Sequence, residues 1–80
     1  WEINEAFSSV TMAVIDDFKI NPETVNVYGG AVAIGHPIGA SGARILATLL
    51  NAMFQKNKKY GLAVLCIGGG EASAMILEKI

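Results

Sequence analysis

Ile45, Leu46, Leu49, Leu50, Met53 and Phe54 recur at the spacing of one helix face, and the run Tyr60 to Ile67 that follows them is apolar and of strand length. One face of that helix is thus wholly apolar. Gly68-Gly69-Gly70 breaks that strand, and Ala72 to Leu77 reads as a last one. So short a link suits a hairpin, which predicts an antiparallel final pair.

Upstream, Trp1-Glu2-Ile3 reads as a strand that meets a helix at Asn4. Phe7, Val10, Val14 and Phe18, with Met12 and Ile15 beside them, follow helical spacing and predict a helix over residues 5 to 18. Its aromatic and aliphatic positions are taken as core in preference to a ligand site. Asn21-Pro22-Glu23 stops it and resembles a cap with proline at a first helical position, so a short turn is expected before an extended stretch from Thr24 to Tyr28. Residues 25 to 34 read as buried, extended chain. Gly39, Ala40, Ser41 and Gly42 open the second helix, which ends near Asn57. The order strand, helix, strand, helix, strand, strand predicts an α/β layered domain, with helices covering a mostly parallel sheet.

Residues of the apolar set make up 52% of the 80, and nine glycines add to them. A small single domain buries only about 60% of its unfolded surface, so this chain alone would expose many large side chains, as an interaction surface does. It is therefore read as part of something larger, and the start on Trp1-Glu2-Ile3, as though cut within a strand, fits that expectation. On its own it is expected to aggregate or to be molten.

Six Lys+Arg against seven Asp+Glu leave a net charge of −1 with no basic stripe, which argues against nucleic acid as a partner. Lys56, Lys58 and Lys59 read as a solvated helix end rather than an anion site. A single cysteine excludes an internal disulfide and fits a reducing compartment. With one histidine beside it there is no zinc cluster, and no metal site is expected. No apolar run approaches the ~20 residues needed to span a bilayer, so no membrane partner is expected.

The histidine and the cysteine each stand beside glycines where an apolar run ends, in Ile34-Gly35-His36-Pro37 and Leu65-Cys66-Ile67-Gly68-Gly69-Gly70. Pro37 biases His36 toward extended backbone and keeps it in a loop. Alone, His36 reads as structural more readily than functional and only its flanking glycines bring the two readings level, while Cys66 alone reads as an inert buried thiol. The glycines favour the functional reading: backbone N–H groups at Gly68 and its neighbours are unhindered and suited to an oxyanion, and a thiol at that place can act as acid or base. Asn4 is expected to cap the first helix, or else to hold a water or a substrate carbonyl with its amide. The segment from Gly35 to Gly42 lacks the lysine of a P-loop and the spacing of a dinucleotide fingerprint. Arg44 is expected at a helix surface or interface.

Asn4-Glu5-Ala6-Phe7, then Gly29-Gly30-Ala31 running into Gly35-His36-Pro37-Ile38-Gly39-Ala40-Ser41-Gly42-Ala43-Arg44, then Cys66-Ile67-Gly68-Gly69-Gly70, resemble the three C-terminal signatures of the thiolases, in order and over essentially the whole chain. The ending Glu71-Ala72-Ser73-Ala74-Met75 departs from the commoner thiolase pattern and is similar to that of the mitochondrial members acting on acetoacetyl-CoA. The resemblance implies a thiolase-like layered fold. Residues 1–80 would be the end of its C-terminal half, a mixed sheet covered by helices, with the second helix packed against its twin.

It also implies acyl transfer by reversible Claisen condensation, two acetyl-CoA giving acetoacetyl-CoA and CoA, or the reverse thiolysis. The nucleophilic cysteine would lie upstream in the N-terminal thiolase half. His36 would activate it and donate to the thioester oxygen, while Asn4 would hold the companion water. Cys66 would move the α-proton, and the Gly68 N–H would serve a second oxyanion hole. Coenzyme A thioesters would be substrates, with no tightly bound cofactor and potassium left open. A homo-oligomer, dimer or tetramer, and a mitochondrial location follow from the same resemblance, with cytoplasm as the alternative. Rival readings are a 3-ketoacyl-CoA thiolase of broader chain length, a ketoacyl synthase, which would carry a second histidine in place of Cys66, and a non-catalytic module binding CoA or lipid.

Overall fold

The computed structural model describes all residues, 1–80. Strands β1 (Glu2–Ile3), β2 (Tyr60–Cys66) and β3 (Ala72–Glu78) form one sheet in the order β1-β2-β3. Between β1 and β2 run helices α1 (Ser8–Phe18), α2 (Ala31–Ile34) and α3 (Ser41–Gln55), with a 3-10 turn at Pro22–Thr24. The architecture is the expected α/β mixed sheet with helices. β1 pairs with β2 in parallel, Glu2 against Ala63 and Ile3 against Val64. β2 and β3 form the predicted antiparallel hairpin, in register from Tyr60 opposite Glu78 to Cys66 opposite Ala72. The sheet is thus half antiparallel rather than mostly parallel.

The helix-strand pair that the sequence marks most strongly makes the core. Ile45, Leu49 and Met53 on α3 are buried against Ala63, with Leu46, Leu65 and Leu77 packed around them. Strand alternation turns Gly61, Ala63 and Leu65 toward α3 and leaves Cys66 on the other side of the sheet. Gly61 is glycine for room: a Cβ there would come within 2.6 Å of Met53 Sδ and 2.8 Å of Leu49 Cδ1. Leu50 and Phe54, on the outer edge of the apolar stripe, are exposed.

Three expectations are corrected. Residues 25–34 do not run extended and buried: Gly29, at φ +85°, turns the chain into α2, whose first turn rests on the Gly30 carbonyl, and Val32 and Ile34 face outward. The part of this stretch that does act like a strand is Asn26, whose side-chain amide accepts from the Ile3 N–H and donates to the Ile3 carbonyl, both at 2.8 Å. One side chain thereby closes the free edge of β1. Asn4 is not a helix cap. Its N–H continues the ladder to the Val64 carbonyl at 2.8 Å, and α1 begins later, with Phe7 at the N-cap and no side chain capping it. Finally, α1 is not core here. Thr11 is its one buried residue, while Phe7, Met12 and Phe18 are all more than 60% exposed. Its apolar spacing reports a covered face, and nothing within these 80 residues covers it. The short turn at Asn21-Pro22-Glu23 forms as expected, with Asn21 Oδ1 accepting from the Glu23 N–H at 3.0 Å.

Candidate functional site

β1 and β2 run parallel and end together, so their carboxyl ends share one edge of the sheet, the edge at which open α/β folds place ligands. Asn4 follows β1 there and Cys66 ends β2. The N-terminal turn of α3 lies over the same edge, since a Cβ on Gly42 would touch Leu65 Cδ1 at 3.9 Å. His36 stands in the loop leading into that turn. The four residues singled out in the sequence, Asn4, His36, Cys66 and Gly68, therefore belong to one end of the sheet.

Cys66 is a free, exposed thiol. After it the chain enters a loop closed by Ile67 N–H donating to the Glu71 carbonyl at 3.0 Å. Gly68 and Gly70 sit at φ +106° and +94°, a region that side chains disfavour, and no atom crowds either α-carbon. A ligand thus has open access to the main chain beside the thiol. No hydrogen bond joins Cys66 to His36 in this chain.

His36 is held from one side of its ring. Its Nδ1 lies 2.6 Å from Ser41 Oγ, and Ser41 Oγ lies 3.1 Å from the Pro37 carbonyl. Arg44 Nη2 donates to the Gly35 carbonyl at 2.8 Å, so the residue before His36 is clamped to α3. Arg44 thus lies on the helix surface as expected, with its guanidinium spent on this contact. Gly35 itself, at φ +88°, makes the turn that lifts His36 out of α2.

Asn4 is 2% exposed, and neither Oδ1 nor Nδ2 has a protein partner. It lines a cavity of about 110 Å³ with Glu2, Glu5, Gly30, Arg44 and Thr48. Glu5 Oε1 accepts from the Val32 N–H at 3.2 Å and thereby braces the start of α2, packed so closely on Gly30 that a Cβ there would collide with the carboxylate. Glu2 is buried as well, and Oε1 lacks a partner. Burial pushes its carboxyl up to about 7; Glu5 adds to the rise and Arg44 opposes it.

Because that value lies above the ordinary 4.5 of an unfolded glutamate, the protonated form is the one the fold favours. Whatever stability follows is fully present below about 4.5 and is lost as pH rises through about 7. Glu2→Gln is therefore expected to flatten the fall of unfolding free energy between those two pH values, and urea titrations across the range measure it. An unchanged slope would show that Glu2 is ionised at little cost in the folded protein.

Four contributors escaped the sequence. Ser41 is wholly buried at 0% exposure, yet in sequence it reads as one more small residue of a helix start. Asn26 and Glu2 carry no local signal, because their partners are more than twenty residues distant or absent. Arg44 had a signal in its place three residues into α3, on the turn that faces the His36 loop.

This geometry belongs to an α/β layer carrying a thiol at the end of a strand and an imidazole in the loop that leads into the neighbouring helix. The family described as thiolase, C-terminal domain, matches residues 1–79, and the chain belongs to it. It is 57% identical over 79 residues to the acetyl-CoA acetyltransferase of Escherichia coli, a match that takes in 99% of this chain and 20% of the relative. It is 55% identical over 80 residues to the mitochondrial acetyl-CoA acetyltransferase of Rattus norvegicus, covering all of this chain and 18% of the relative. The crystal structure of Acat5 thiolase from Ascaris suum in complex with coenzyme A superposes with a TM-score of 0.93 at 55% identity, over 100% of this chain and 20% of that one. The chain thus spans about a fifth of the length of the relatives it matches.

Proposed function

We propose that the protein to which this segment belongs catalyses thiolase-type acyl transfer on coenzyme A thioesters, with acetyl-CoA and acetoacetyl-CoA as the exchanging substrates. The carrying observation is the exposed Cys66 thiol at the carboxyl end of β2, immediately ahead of a loop with open backbone at Gly68. A thiol has a pKa within reach of neutral pH and can take up and return a proton reversibly, as α-proton transfer between two thioesters requires. Glycine at position 68 lets a thioester oxygen approach the main chain, where an N–H stabilises enolate charge.

In this reading His36 accepts the proton of a nucleophilic cysteine supplied by the N-terminal thiolase half and donates to the acyl oxygen. The buried, unpartnered amide of Asn4 orients the companion water. Residues 1–80 are the last part of the C-terminal domain, and the exposed side chains of α1 and α3 are covered by the rest of the protein, itself a homo-oligomer. The relatives' name, acetyl-CoA acetyltransferase, and the Ala-Ser-Ala-Met ending support acetoacetyl-CoA over longer chains, and the coenzyme A bound to the Ascaris protein supports CoA thioesters as substrates. Mitochondria are the compartment proposed, on the ending, with cytoplasm as the alternative, since the relatives include mitochondrial, cytosolic and bacterial proteins.

The full-length protein, given acetoacetyl-CoA and CoA, is expected to release two acetyl-CoA per turnover, read by mass spectrometry of the thioesters. A parallel arm with longer 3-ketoacyl-CoA compares kcat/KM. Absence of acetyl-CoA from both arms would end the thiolase reading, and preference for the longer chain would replace acetoacetyl-CoA as substrate.

A further inference from the structure

We propose that Ser41 is the positioning residue of His36, keeping ring nitrogen Nδ1 hydrogen-bonded in every protonation state so that Nε2 is the nitrogen left for reaction. The contact stands by itself; what Nε2 does rests on the function proposed above. Ser41 Oγ lies 2.6 Å from Nδ1 and 3.1 Å from the Pro37 carbonyl, and Ser41 has no exposed surface. Water therefore does not compete for the hydroxyl. No other protein group bonds the His36 ring, whose outer side is exposed.

A serine hydroxyl carries one donor and two acceptor sites, which suits a partner that changes from acceptor to donor. When the proton of the neutral ring sits on Nε2, the Ser41 O–H donates to Nδ1. For Nε2 to accept a proton from a thiol, the ring proton has to be on Nδ1; it then donates to Oγ, and the Ser41 O–H turns to the Pro37 carbonyl. The imidazolium formed by that transfer keeps the second arrangement, so no rearrangement accompanies the transfer itself. The turn around the ring is fixed independently: the N–H groups of Ala40 and Ser41 both donate to the Pro37 carbonyl at 2.9 Å, and Arg44 holds the Gly35 carbonyl. An alanine at position 41 would keep this backbone and lose both roles of the hydroxyl.

The full-length protein is the test object. Ser41→Ala is expected to lower kcat for thiolysis of acetoacetyl-CoA by roughly ten- to a hundredfold, the effect of losing a hydrogen bond to a charged group, with KM nearly unchanged. In a His36→Asn background the same change should cost nothing further, since the hydroxyl has no ring left to orient. Nitrogen-15 spectra of the His36 imidazole should show a hydrogen-bonded Nδ1 in the wild type and averaged tautomers in Ser41→Ala. Unchanged kcat, additive losses in the double variant, or an unbonded Nδ1 in the wild type would each overturn the proposal. The wild-type spectrum decides even if Ser41→Ala fails to fold. It also needs no turnover, so a protein without acyl-transfer activity would refute the proposed function while leaving this contact to be judged separately.

Discussion

Cys66→Ser in the full-length protein is expected to leave acylation by acetoacetyl-CoA or acetyl-CoA intact while condensation falls by roughly a hundred- to ten-thousandfold, the range for losing a positioned acid-base group. Serine is nearly isosteric and this site is exposed, so the fold around β2 and the glycine loop should be unaffected. What changes is proton affinity: a hydroxyl does not ionise near neutral pH and cannot take an α-proton from an acetyl thioester. The acyl-enzyme should accordingly accumulate and be visible by intact-protein mass spectrometry, while stopped-flow assays show no acetoacetyl-CoA forming. Condensation at the wild-type rate would remove Cys66 from the chemistry. Loss of the acyl-enzyme as well would mean that Cys66 acts in the first half-reaction, contrary to the division of labour proposed between it and His36.

Leu49→Ala carries the largest expected structural effect. Leu49 is 2% exposed and sits in the centre of the α3 face, over Gly61 of β2. Glycine and Ala63 beneath it are too small to fill the space a shortened side chain would leave, so the lost transfer energy and the cavity add together, about 2–5 kcal/mol. Urea unfolding of the full-length protein should show the midpoint falling with little change in slope. The site should suffer with the core, because α3 places the His36 loop and β2 places Cys66. An unchanged midpoint would show that α3 is not seated on the sheet through this residue.

The elements that were legible are those whose signal is local and whose cover lies within the chain. α3 and β2 announced themselves through spacing, and the hairpin through the glycine run. α1 was equally legible as a helix, but its aromatic spacing says only that a face is meant to be covered, and within this chain Phe7, Met12 and Phe18 stay exposed. Residues 25–34 misled because their apolar content suggests a strand, whereas Gly29, at positive φ, gives the backbone a turn that pattern reading does not weigh. Asn4 misled in the opposite way: asparagine before a helical pattern is a good cap, yet here its backbone was claimed first by Val64.

The candidate site divides along the same line. His36, Cys66 and Gly68 could be picked out because chemistry-bearing side chains beside glycines are conspicuous in any sequence. The family followed from three motifs in order, and the family match over residues 1–79 agrees with it. The residues that hold these groups in place were not conspicuous. Ser41 looked like a helix start, Arg44 like a surface charge, and Asn26 like part of a strand.

By itself, then, the sequence determined the helix α3 and the strand pair and singled out the candidates for chemistry, because each depends on periodicity or on side-chain type within a few neighbours. Only the tertiary structure decided that Asn26 closes the edge of β1, that Asn4 ends a strand inside a cavity, and that Ser41 receives the His36 ring. Those outcomes hang on single polar atoms, on whether the folded backbone brings a partner within 3 Å, as for Asn26 at a separation of 23 residues and Ser41 at five, or leaves the group without one, as for the Asn4 amide, and no apolar periodicity encodes that.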